Sequence, residues 1–172
     1  MQREPKNIAA SVHQRLLKRA RDSGRPFNEV LQYFAIERFI YRLSSICSTE
    51  KFEAMVKLGI INSRMKDFYD IWLLSRQFDF DGHVLATAIR KTFENRRTDI
   101  PSQPTVLQDS FAKDPIKETQ WRAFISKGKL DSAPTSFAEA VSAISAFLEP
   151  LTAALAVQED FSKTWKAPGP WQ

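Results

Sequence analysis

With 172 residues, 43% hydrophobic and 12% aromatic, the chain can bury a real core, which excludes a disordered segment and suggests one domain or one and a half. A single cysteine, Cys47, excludes an internal disulfide framework or a cysteine-rich metal site, and the two scattered histidines, His13 and His83, are too few for a histidine site. The net charge of +5 lies wholly in residues 1–42, which hold nine Lys/Arg against four Asp/Glu and leave sixteen of each for the remainder.

The start, MQREPKN, is charged and no apolar core follows it, so no signal peptide is expected. No apolar run is expected to reach the roughly 18–20 residues of a membrane span. The expected location is the cytoplasm, which the lone cysteine suits. Ile8 to about Asp22 reads as an amphipathic helix with Val12, Leu16 and Leu17 inward, ended at Ser23-Gly24. Its Arg15, Lys18, Arg19 and Arg21 are either a solvated face or a surface for an acidic partner such as RNA. Pro26 opens a second helix from Phe27 to about Ser45, where Val30, Leu31, Phe34, Ile36, Phe39, Ile40 and Leu43 crowd more than one face. That much apolar surface needs contact on two sides, or self-association.

Ser48 and Thr49 can cap a further helix, and Glu50 to Arg76 reads as two helices jointed at Gly59 to Asn62. Gly59 fits a left-handed C-terminal cap, and Ser63 or Asn62 fits the next N-cap. On a helical wheel Lys51 falls among Ala54, Met55 and Leu58, while Glu50, Glu53 and Lys57 share the opposite, solvated side. Either the Lys51 stem lies along the core while its ammonium snorkels out, or the lysine serves a site. In the second helix Met65, Phe68, Tyr69, Trp72 and Leu73 form an apolar arc, yet Ile71 and Leu74 project beside Arg64, Asp67 and Asp70. Enclosed carboxylates need partners, which Arg64 for Asp67 and Lys66 for Asp70 can supply. The pattern fits an ion-paired helix at an interface, or a phosphate site built from lysine, arginine and aspartates.

Asp79-Phe80-Asp81 with Gly82 reads as an inter-helix loop and cap, followed by a helix from His83 to about Arg97. Arg96 and Arg97 near its end suit the helix dipole or face a phosphate. After a loop through Pro101 and Pro104, short helices are expected over 106–112 and 115–127. Ser136 with Glu139 forms a capping box for a helix through Phe137, Val141, Ile144, Phe147 and Leu148, with Pro150 as a kink or restart before 151–157. The expected fold is all-α, a bundle of about six to eight helices. It divides into a basic helical region over 1–46, the motif helices and C-terminal bundle over 47–157, and a disordered tail over 158–172.

EKFEAM followed by RMKDFYDIW resembles the third and fourth motifs of the AbiEii/AbiGii toxin family, nucleotidyltransferases of bacterial toxin–antitoxin and phage abortive-infection systems. The third motif is a glutamate–lysine pair, here Glu50–Lys51. The fourth reads R-x-K-D, two residues, then D, here Arg64, Lys66, Asp67 and Asp70. Residues 15–44, and the run through Phe93, Arg96, Phe111, Trp121 and Phe124, are similar to the family's N- and C-terminal helical regions. The resemblance implies transfer of a nucleoside monophosphate from an NTP, with Mg2+, to an acceptor such as tRNA. Lys51 would contact the triphosphate, Asp67 would complete the active site, and Arg64, Lys66 and Asp70 would support it. A cognate antitoxin is the implied partner. The family's Gly-Ser pair and metal-binding Asp-x-Asp strand precede the lysine motif, but only SICST separates Ser44 from Glu50, and the chain contains no Gly-Ser dipeptide. The resemblance therefore implies a shortened member without most or all of the nucleotidyltransferase sheet, with no metal site and negligible transfer by itself. The alternative is a helical RNA- or protein-binding module without catalysis.

Overall fold

The computed structural model describes the backbone from Ile8 to Gln172, and side chains for residues 12–32 and 48–172. The chain divides into two compact units, 1–43 and 44–172. In the first, α1 (Ile8–Ser23) and the start of α2 (Phe27–Leu58) bury Leu16, Ala20 and Val30, with Val12 and Phe27 packed against them. Gly24, at φ +66°, ends α1 where a side chain would strain the turn. Phe34, Ile36, Phe39, Ile40 and Leu43 lie outside the described side chains.

One expected boundary is absent. The helix that begins at Phe27 runs unbroken to Leu58, so Ser48 and Thr49 are buried inside it and are not caps. Thr49 Oγ1 lies 3.0 Å from Thr92 Oγ1 on α4 (Gly82–Arg96), a hydrogen bond that settles this hydroxyl mid-helix. A 3-10 turn, Gly59–Ile61, with Gly59 at φ +53°, separates α2 from α3 (Met65–Gln77).

The second unit is built round α7 (Phe137–Ala156), which runs as one helix through Pro150. Ser136 Oγ accepts from Glu139 N–H at 3.2 Å, the expected N-cap. Every third or fourth residue from Phe137 to Leu155 is buried, and α3, α4, α5 (Asp109–Ala112) and α6 (Pro115–Gly128) pack round that helix. Phe68 meets Phe137 edge-on at 5.0 Å, and the buried Trp121 donates its indole N–H to Pro134 O at 3.0 Å. By length and composition α7 is apolar enough to cross a membrane, contrary to the sequence expectation. Its apolar stripe is nevertheless the core of this unit.

Among the described residues the only sheet is two strands of two residues, β1 (Phe80–Asp81) antiparallel to β2 (Thr164–Trp165), so the fold is mostly helical as expected. The tail expected to be disordered is instead packed. Phe161 and Trp165 are buried, Trp165 donates to Ser75 O at 2.6 Å, and Trp171 donates to Phe147 O at 2.9 Å. Three aromatic residues in the last dozen supply apolar area that composition rich in proline and glycine conceals. The tail passes so close to Gly82 that a Cβ there would lie 2.5 Å from Lys163 O.

Candidate functional site

The joint between α2 and α3 brings the charged motif residues together. Lys51, on the last turns of α2, forms an ion pair with Asp70 on α3. Lys66 Nζ reaches the same Asp70 oxygen, Oδ2, at 2.6 Å. One turn nearer the start of α3, Arg64 Nε lies 2.8 Å from Asp67 Oδ2. The helical spacing explains the pairs within α3, since residues three and four apart share a face. The pairing across to α2 needs the tight turn at Gly59, whose positive φ only glycine adopts without strain.

The cluster is neither solvated nor fully buried. The side chains of Lys51 and Asp70 are 20% and 17% exposed, whereas that of Asp67 is 5% exposed. Among the described residues Asp67 Oδ2 accepts no hydrogen bond, so Arg64 faces it as a charge without donor alignment. Burial pushes the Asp67 carboxyl above its ordinary value, Arg64 and Lys51 pull it back, and Asp70 pushes it up again. Lys51 thus pairs with Asp70, while its charge still acts on Asp67. Asp67, Arg64 and Lys66 line an open groove of about 540 Å³ with Ser63, Gln120 and Phe124.

Glu53 overturns part of the helical wheel. Placed by sequence on the solvated side, it is fully buried, with Oε1 accepting from Thr98 Oγ1 at 2.5 Å and Oε2 from Arg96 Nη1 at 3.2 Å. Arg96 also lies 3.6 Å from Glu50, so it ties the end of α4 to the turns of α2 that carry Lys51. Nothing in the period of α2 marks Glu53 as buried, because its partners lie 43 and 45 residues away. Lys117 is a second omission. It is buried and donates from Nζ to Asn62 O at 2.6 Å. A signal for it exists: Lys117 stands one turn before Trp121 on the inner face of α6.

The one Asp-x-Asp of the chain is committed elsewhere. Asp81 Oδ1 accepts from Val84 N–H at 3.0 Å as the N-cap of α4. Asp79 holds Lys166 at 2.7 Å and the Ala167 N–H at 2.9 Å, contacts that keep its carboxyl below the ordinary range. Among the described residues no three His, Cys, Asp or Glu side chains converge as a metal site. Asp67 and Asp70, each facing a cation, do not make the oxygen set Mg2+ requires. The cations Lys51, Arg64 and Lys66 have the chemistry for phosphate oxygens.

A protein-family model described as the nucleotidyl transferase AbiEii toxin of type IV toxin–antitoxin systems matches residues 47–143. Neither the curated proteins nor the solved structures compared give a match. The matched span covers more than half of the sequence and contains Lys51, Arg64 and all of α3, so the chain belongs to the AbiEii nucleotidyl transferase toxin family.

Proposed function

We propose that this chain is a shortened AbiEii-type toxin of a bacterial toxin–antitoxin or abortive-infection system, keeping the cationic wall of a triphosphate site and catalysing no transfer by itself. The observation that supports this reading is the convergence of Lys51 and Lys66 on Asp70, next to Arg64 on Asp67, at one helix joint. Lys51 is the residue assigned to the triphosphate, Asp67 the motif carboxylate, and Arg64, Lys66 and Asp70 its supports. The family chemistry uses carboxylate-bound metal to neutralise charge on the transferred group. Asp79 and Asp81 are engaged in a tail contact and a helix cap, so no step is assigned to a metal here.

The test is transfer of label from radiolabelled NTPs with Mg2+ to total tRNA. The expected result is no incorporation. Robust metal-dependent labelling, abolished in Lys51→Ala, overturns the assignment of inactivity.

A second reading, an RNA-binding member, is favoured by α1, where Arg15, Lys18 and Arg19 are exposed at spacings of three and four. A tRNA gel shift that weakens steeply with salt supports it, and no shift at low salt counts against it. A cognate antitoxin, or a second copy, is the proposed protein partner, and the cytoplasm the proposed location.

A further inference from the structure

We propose that Lys117 is a positioning residue for the motif site, holding the backbone turn at Asn62 from which α3 starts. Lysines rarely lie fully inside a protein, because removing an ammonium from water is costly unless it is well paired. Lys117 is 6% exposed, and what holds its ammonium is a carbonyl, Asn62 O at 2.6 Å, and the Phe111 ring, 5.1 Å from the nitrogen to its centroid. A methionine would fill the same volume without that cost. The ammonium is therefore placed for what it holds.

It holds a turn whose two isoleucines do not fix it. Ile60 and Ile61 are 70% and 80% exposed, so their side chains do not anchor the segment. Arg64, at the N-cap position of α3, makes no side-chain cap bond. Polar tethers take over instead. Asn62 is fully buried, and its Oδ1 accepts from Arg64 N–H at 2.8 Å. Among the described residues its buried Nδ2 has no hydrogen-bond partner. Met65 N–H to Ser63 O at 3.0 Å and Asp67 N–H to Arg64 O at 2.9 Å then begin the helix. Lys117, reaching across 55 residues, sets the first link, and Arg64 and Asp67 follow from it.

The inference uses the triphosphate reading for one arm of its test only. The variant is Lys117→Met, compared with Lys117→Arg, whose guanidinium still donates to the Asn62 carbonyl. The first measurement is the pH titration of the Asp67 carboxyl carbon by NMR. In Lys117→Met the turn loosens, Asp67 gains water, and its midpoint falls toward the ordinary carboxylate value, while Lys117→Arg titrates as wild type. Simple loss of stability does not move that midpoint. The second measurement is calorimetric binding of inorganic tripolyphosphate, expected to weaken about tenfold in Lys117→Met, the scale on which residues behind binding ligands act.

An Asp67 titration in Lys117→Met that superimposes on wild type overturns the proposal. If Lys117→Met does not fold, a folded Lys117→Arg whose Asp67 midpoint departs from wild type overturns it as well. Wild-type protein that binds no tripolyphosphate refutes the triphosphate reading instead, and the Asp67 titration still decides the role of Lys117.

Discussion

Replacing Trp165 with alanine tests whether the last dozen residues belong to the core. The indole is 2% exposed, packs at 4.9 Å on Phe147 and 5.4 Å on Trp171, and donates to Ser75 O at 2.6 Å. Removing a buried tryptophan costs about 3–5 kcal/mol in lost transfer energy and cavity. Leaving the buried Ser75 carbonyl without its donor adds about 1 kcal/mol. The expected total of about 4–6 kcal/mol is a large share of the roughly 5–15 kcal/mol that stabilises a typical domain. At about 2–4 °C per kcal/mol for a chain of this length, Tm should fall by roughly 10–20 °C. Trp165→Phe keeps most of the ring packing, loses the hydrogen bond and should cost about 1–3 kcal/mol. Urea unfolding followed by far-ultraviolet circular dichroism reads both without relying on the deleted fluorophore. Trp165→Ala within about 0.5 kcal/mol of wild type, the range of a surface substitution, refutes the reasoning.

Glu53→Gln keeps the side-chain shape but removes the charge facing Arg96, and because Arg96 is half-exposed and can turn to water, the loss should stay near 1–3 kcal/mol in a thermal melt. A double-mutant cycle of Lys51→Met and Asp70→Asn should give a coupling on the order of 1 kcal/mol, above the surface-pair median because both side chains are about four-fifths buried; a coupling indistinguishable from zero would show that the pair does not hold α2 to α3. Asp67 has its folded value raised above 3.8, so as pH rises from that value the unfolded chain releases its proton first, and wild type loses stability until the folded value is passed. Asp67→Asn abolishes that decline, and unfolding free energies measured from pH 3 to 8 should therefore converge at the acid end and favour the variant at neutrality.

Local periodicity made most helices legible. The stripes of α1, α3, α4 and α7, the glycine stops at Gly24 and Gly59, and the Ser136 cap are all set by residues within one or two turns of each other. The same locality explains what was hidden. Ser48 and Thr49 have the chemistry of caps, yet they lie inside a continuous helix, where Thr49 meets Thr92, 43 residues away. Glu53 and Lys117 are charged residues on inner faces whose partners come from other elements. Phe161, Trp165 and Trp171 give the tail its apolar area, but the groups that receive it, Ser75, Phe80 and Phe147, lie far away in the sequence. That Lys51, Arg64, Lys66, Asp67 and Asp70 lie close together was legible, but the pairing of Lys51 with Asp70 was not. The sequence offers both aspartates, and the turn at Gly59 decides between them.

The pairing also sets the order in which these cations can meet an anion. Three cations face two carboxylates, so the cluster keeps one net positive charge after its internal pairs are made. Lys66 and Arg64 have side chains 70% and 57% exposed; Lys66 gives Asp70 Oδ2 one of its three donors, and Arg64 faces Asp67 as a charge. A phosphate can therefore add to both without breaking a pair. Lys51 is different: it lies four-fifths buried on Asp70, and a phosphate engaging it must first displace or join that carboxylate. On the proposed phosphate-site reading, removing Lys66 or Arg64 should therefore slow association and flatten its salt dependence, whereas removing Lys51 should speed dissociation.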